Sequence, residues 1–184
     1  WKYIHMLLTF LVVIPSFMTA FTVIASLEKA GRSKGGTGLF GWIKKLPWKD
    51  PSVAGQLLAG FLFFFGGMGG IINASGSLNL VIHNTTWVPG HFHITVASAS
   101  ALSFMAITFW LIPYLSNKDL RMPKLALASV WTWFVGMVFF SFGMHWLGLL
   151  GAPRRVPLAT APYTASFPEW RVPQALTAIG GVIL

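Results

Sequence analysis

The chain has 184 residues, of which 55% are hydrophobic and 9% charged, with a mean hydropathy of +0.68 and a formal net charge of +9. An average soluble domain carries about 25% charged residues, so this composition excludes a water-soluble globular protein and predicts an all-α, multi-pass transmembrane helix bundle. There is no cysteine, which rules out disulfides, iron–sulfur clusters and thiolate copper sites and leaves imidazole as the ligand for any metal chemistry.

Charge-free stretches mark the crossings. No Asp, Glu, Lys or Arg occurs in 3–27, 51–117 or 125–153, and about 20 apolar residues suffice to span a bilayer as a helix. The spans predicted in order are about 5–27, 53–74, 89–114 and 125–150, with a fifth starting at 173–184 and stopping short of a crossing. The chain opens at Trp1 without a leader of charged then apolar residues, so both ends read as cuts and a fragment of a longer protein is expected.

The first span holds Thr9, Ser16 and Thr19 within about 80° of one another around the helix, beside Pro15, which removes a backbone donor. Such a hydroxyl stripe can order water, or each hydroxyl can bond back to the preceding turn. Next comes a basic loop with Lys29, Arg32, Lys34, Lys44, Lys45 and Lys49, matched after the third span by Lys118, Arg121 and Lys124. The positive-inside rule puts these loops, 28–50 and 116–124, in the cytoplasm. The excess charge is thereby a topology and lipid-contact signal, and no nucleic acid is expected. The loop's glycines lack the spacing of a phosphate loop.

The connector 75–88 then faces outward without any Lys or Arg, whereas the other outer connector, 151–172, carries the paired Arg154 and Arg155. That pair departs from the topology rule and points either to an anionic partner near the outer face or to a headgroup anchor. Of the five histidines, His5 at a span end reads as interfacial, His145 as a hydrogen-bonded interior residue, and His83 as a connector residue. His91 and His93 differ because they flank Phe92 near the start of an apolar span, where metal-binding groups are costly unless functional. An α-helix turns about 100° per residue, so side chains two apart leave on nearly opposite sides. This spacing argues against one shared zinc ion, which wants i,i+3 or i,i+4. It suits two hemes, each taking one imidazole on an axial face. Pro89 fits a first helical turn, and Gly90 is expected to make room for a macrocycle. The many Phe and Trp side chains read as lipid-facing or packing surface, with Trp87 standing beside the His91 turn.

The run HNTTWVPGHFH, the opening WKYIHMLLTFLVVIPSFMTAF, the loop GLFGWIKKLPW and the turn GLLGAPRR resemble subunit I of the heme-copper oxygen reductases, most closely the B-family, ba-type cytochrome c oxidases. The resemblance covers essentially the whole chain and implies a piece of a twelve- or thirteen-helix subunit. It implies His91 as the ligand of a high-spin heme iron and His93 as one axial ligand of a low-spin heme. It also implies His83, Arg154 and Arg155 as partners of heme propionates, and Ser16 and Thr19 as members of a proton-uptake path. The implied enzyme, a multi-pass protein of a prokaryotic cell membrane, takes electrons from cytochrome c through subunit II and reduces oxygen to water while translocating protons. Its copper ligands and the second low-spin heme histidine are expected upstream, so the 184-residue chain alone is expected to be inactive.

Two positions depart from the superfamily's patterns. Asn79 stands where the ba-type pattern has an aspartate near a propionate, and Asn84 stands where the larger A-family has an aspartate that binds magnesium. A nitric oxide reductase of the same superfamily is one alternative, disfavoured by the lack of Asp or Glu in the spans. A non-catalytic transporter or assembly subunit is the other.

Overall fold

The computed structural model describes residues 2–156 and 166–184, so residues 157–165 of the second outer connector lie outside the described residues. The helices are α1 (Lys2–Ser33), α2 (Pro51–Ala74), α3 (Gly76–Ile82), α4 (Trp87–Phe92), α5 (Ala101–Ser116), α6 (Pro123–Leu149) and α7 (Arg171–Ile183). Between α4 and α5 the chain continues as a π-helix over His93–Ser100, so that 87–116 forms one continuous rod. Among the described residues, four helices are long and apolar enough to cross a membrane: Tyr3–Ser33, Pro51–Ala74, Trp87–Ser116 and Pro123–Leu149.

The observed helices extend the predicted spans outward at nearly every end. The added turns carry local stop signals. At the start of α2, Pro51 occupies the first turn and Asp50 accepts from the backbone N–H groups of Ser52 at 2.8 Å and Val53 at 3.1 Å, satisfying donors a helix start leaves open. The rod 87–116 ends at Asn117, whose φ of 50° and ψ of 40° form a left-handed cap. Pro123 opens α6. The fifth helix starts at Arg171, two residues before the expected 173. The connector 75–88 contains the short helix α3.

The core lies where α2, the π segment, α5 and α6 meet. It comprises Ala54, Leu58, Ala59, Leu62, Ala99, Leu102 and Val130. Small residues set these close approaches, as is usual between helices in lipid. A Cβ on Gly55 would stand 3.0 Å from the Ala106 Cβ. Gly136, Gly143 and Gly180 bring α6 and α7 together, a Cβ on Gly136 standing 3.0 Å from the Gly180 carbonyl oxygen. A smaller cluster of Leu147, Ala152 and Trp170 pins the second outer connector to the end of α6. By contrast α1, which packs chiefly on α2 and the 3-10 turn Ile43–Lys45, exposes large apolar side chains such as Leu7, Leu11, Ile14, Phe17 and Phe21. Those side chains suit lipid or neighbouring helices.

Candidate functional site

The site forms at one end of the bundle, where α4 begins and the connector 75–88 meets residues 152–154. Thr85 and Pro153 make an antiparallel bridge, the Thr86 N–H donates to the Ala152 carbonyl at 2.9 Å, and the Arg154 N–H donates to the Asn84 carbonyl at 2.9 Å. This ties the start of the histidine-bearing rod to the loop carrying the arginines.

His91 and His93 leave the rod toward different neighbours, as their spacing predicts. The His91 ring lies against α2, where a Cβ on Gly69 would stand 3.0 Å from its Nδ1 and one on Gly70 would stand 3.9 Å from its Nε2. The glycine pair therefore makes a shallow cradle for the imidazole. The His93 ring packs on Phe140 of α6, with centroids 4.9 Å apart. Its Nδ1 lies 2.6 Å from the Pro89 carbonyl oxygen. A carbonyl only accepts, so Nδ1 carries the proton and Nε2 keeps its lone pair for a metal. This backbone anchoring of a ligand imidazole is the usual way of fixing its tautomer. The π-helix starts at His93, and the Ser98 hydroxyl donates to the His93 carbonyl, five residues back. π segments commonly mark functional positions in otherwise α-helical rods.

Gly90 has a different use from the one expected. A Cβ there would stand 2.9 Å from His145 Nδ1 and 3.0 Å from the Met144 Cβ, so the glycine admits α6 and leaves no opening for a macrocycle at that point. His145 is held as an interior histidine, its Nδ1 2.7 Å from the Ser141 carbonyl oxygen. Its ring meets Trp87 edge-on, centroids 4.6 Å apart. His145 belongs to the site's wall beside His91, a place that only the fold discloses. The Gly69-Gly70 pair of α2 is the sequence feature that marks the cradle.

Arg154 is half-buried. Its Nη2 donates to Asn84 Oδ1 at 2.9 Å, while its Nε is buried and finds no acceptor among the described residues. Arg155 is exposed with a φ of 64°. His83 is exposed at the end of α3, immediately before Asn84. Asn79 donates from Nδ2 to the Asn73 carbonyl at 2.8 Å, a neutral link that a carboxylate could not make. Ser16 and Thr19 stand apart from this group on α1. Their hydroxyls, like that of Thr9, bond back to the preceding turn, to the carbonyls of Val12 at 2.8 Å, Pro15 at 2.9 Å and His5 at 2.7 Å.

The described residues contain no group of three or more His, Cys, Asp or Glu side chains that could hold a metal ion. The site offers single imidazoles facing apart and a buried cationic donor awaiting an acceptor. This donor set fits porphyrin irons, which take one protein ligand per axial face, with carboxylates for the guanidinium.

A multi-pass helical membrane protein with two histidines, two residues apart, that meet different neighbours is thus the class that fold and site define. The family model for cytochrome c and quinol oxidase polypeptide I matches residues 1–183, and the chain belongs to that family. A cytochrome c oxidase subunit 1 of Thermus thermophilus is 49% identical over 186 residues, covering 100% of this chain and 33% of that protein. A second from the same organism is 46% identical over 108 residues, covering 58% of this chain and 100% of its own length. The cytochrome c oxidase subunit 1 of Candida albicans is 32% identical over 173 residues, covering 91% of this chain and 30% of its own. A solved heme-copper terminal oxidase dimer superposes with a TM-score of 0.88 at 37% identity, covering 100% of this chain and 34% of that chain. The chain therefore spans about a third of the length of the first of these relatives.

Proposed function

We propose that this chain forms the heme-binding part of the catalytic subunit of a B-family, proton-translocating cytochrome c oxidase in a prokaryotic membrane. His91 would ligate the iron of a high-spin heme and His93 that of a low-spin heme. Arg154, Arg155 and His83 meet the propionates. The observation that carries this reading is the pair of imidazoles directed to different helices, one against the Gly69-Gly70 cradle and one with Nε2 left free by the Pro89 carbonyl.

When bound, the hemes supply electron transfer and oxygen reduction, together with copper held by residues outside this chain. The chain's own residues ligate, orient and balance charge. The Pro89 carbonyl fixes the His93 tautomer, α6 walls off His91 through His145, against which Trp87 of α4 packs, and the arginines place fixed positive charge beside carboxylates. Ser16 and Thr19 serve proton uptake by rotating away from their carbonyl acceptors toward water, which a hydroxyl can do because it both donates and accepts. Subunit II, cytochrome c and oxygen are the partners. The basic loops 28–50 and 116–124 face the cytoplasm, supported by nine of the thirteen Lys and Arg residues lying there.

The test is the optical spectrum of the oxidase whose full-length subunit I carries this sequence, with His91→Ala and His93→Ala. Each substitution is expected to remove or shift one heme's bands, high-spin for His91 and low-spin for His93, and to lower turnover by more than about a hundredfold. Spectra unchanged by both substitutions would sink the proposal.

A further inference from the structure

Asn84 sits in the turn between α3 and α4 with φ at 63°, in the left-handed region that asparagine tolerates better than most residues. That conformation lets it hold Arg154 twice. Its carbonyl accepts from the Arg154 N–H, and its Oδ1 accepts from Nη2, each at 2.9 Å. On one side the clamp is continued by the Thr85–Pro153 bridge and then the Thr86 to Ala152 hydrogen bond. One arm of the guanidinium is therefore fixed, and the Nε–H that remains buried has no acceptor among the described residues. A buried donor in that state calls for an acceptor from a bound group.

We infer that Asn84 is a positioning residue for anion recognition by Arg154, its side-chain oxygen setting the guanidinium's rotation so that Nε meets a carboxylate of the bound group. The inference rests on the proposed heme reading, in which that carboxylate is a propionate. The amide is suited to the task because it accepts from the guanidinium without cancelling its charge. An aspartate would make the same hydrogen bond and also neutralise the cation that the carboxylate needs. The arrangement joins the arginine to the rod bearing both histidines, so the group held by His91 or His93 and the cation above it move as one body.

Asn84→Gly is the clean variant, since glycine accepts the left-handed backbone and only the side-chain acceptor is lost. Asn84→Asp keeps acceptor and conformation and adds charge, so it carries the test if the glycine variant assembles poorly. Arg154→Gln calibrates the scale. Each is made in the full-length oxidase and titrated spectroelectrochemically, with infrared spectra of the carboxylate region. Negative charge near a heme favours the oxidised form, so at fixed applied potential Asn84→Asp is expected to raise one heme's oxidised-to-reduced ratio about tenfold. Asn84→Gly is expected to raise it about threefold by releasing the guanidinium. Both are expected to shift a propionate band while heme content stays normal. If Arg154→Gln moves the ratio about tenfold and both Asn84 variants stay within about twofold of the parent, the inference falls and the heme reading stands. If Arg154→Gln itself changes nothing in a heme-replete enzyme, the arginine–propionate reading falls and takes the inference with it.

Discussion

Gly90 and Gly67 lie on successive rods of the same bundle, yet only one of them has to be a glycine. A Cβ at Gly90 would press on His145 Nδ1 at 2.9 Å and on Met144 at 3.0 Å, both in α6, whereas at Gly67 nothing lies within 4 Å. Overpacking of a tight contact costs about 1–3 kcal/mol. Gly90→Ala is expected to lower the thermal stability of the detergent-solubilised oxidase by that order. Gly67→Ala, which exchanges a flexible residue for a good helix former, is expected to be neutral or slightly stabilising by up to about 1 kcal/mol. Equal melting shifts for the two would show that α4 and α6 are not in the described contact. At this scale the spacing of His91 and His93 is visible in the sequence, and so is the Arg154-Arg155 pair as a charge cluster in the connector 151–172. His145 could not be read so, because its partner Trp87 belongs to a different helix and no local pattern links them. The purpose of Gly90 was misread for the same reason.

Helices are legible wherever a charge-free stretch is long enough, and most ends lie within two or three residues of the charges and prolines that mark them, but α1 runs six residues past 27, through Lys29 and Arg32, to Ser33. The π-helical stretch was not legible, since His-Ile-Thr-Val-Ala-Ser-Ala-Ser composes an α-helix equally well. Its widening depends on the Ser98 to His93 bond and on packing against α2 and α6. Likewise α3 lay hidden in its connector because seven residues are too few to show periodicity. The α6–α7 crossing gives the clearest prediction for an element. A Cβ on Gly136 would stand 2.9 Å from the Leu184 side chain and 3.0 Å from the Gly180 carbonyl. Gly136→Leu is expected to drive the helices apart, costing several times the roughly 1–3 kcal/mol of a single-methyl overpacking, seen as loss of heme-replete enzyme after purification. Gly60→Leu, at a glycine with nothing within 4 Å, is the matched control and is expected to purify normally.

Across the whole molecule, the balance of apolar surface and charge decides how the bundle sits in the bilayer. The exposed Lys44 and Lys118 lie at the opposite end of the rods from the exposed Ser77. The absence of cysteine makes this directly testable by single-cysteine labelling. Lys44→Cys and Lys118→Cys are expected to react with an impermeant maleimide only when the cytoplasmic face is open, and Ser77→Cys in intact cells. The reverse pattern would invert the proposed topology. The exposed apolar face of α1 was visible in the sequence as an uninterrupted hydrophobic run. What could not be read was its sparse packing against the other helices, since that depends on which neighbours reach it.

The π turn has a consequence for how this rod can vary over evolutionary time. Bonding to the fifth residue back instead of the fourth lets a π segment store about one residue more than an α-helix running between the same two ends. Relatives that differ by one residue between His93 and Leu102 can therefore keep the histidine and the core leucine at the same places. Deleting Val96, which is 60% exposed, is expected to convert the stretch to α-helix while heme spectra stay near those of the parent. A deletion within Ala101–Ser116, where no such slack exists, is expected to turn Leu102 or Ala106 out of the core and abolish assembly. The π turn is thus the part of this rod expected to tolerate a change of length.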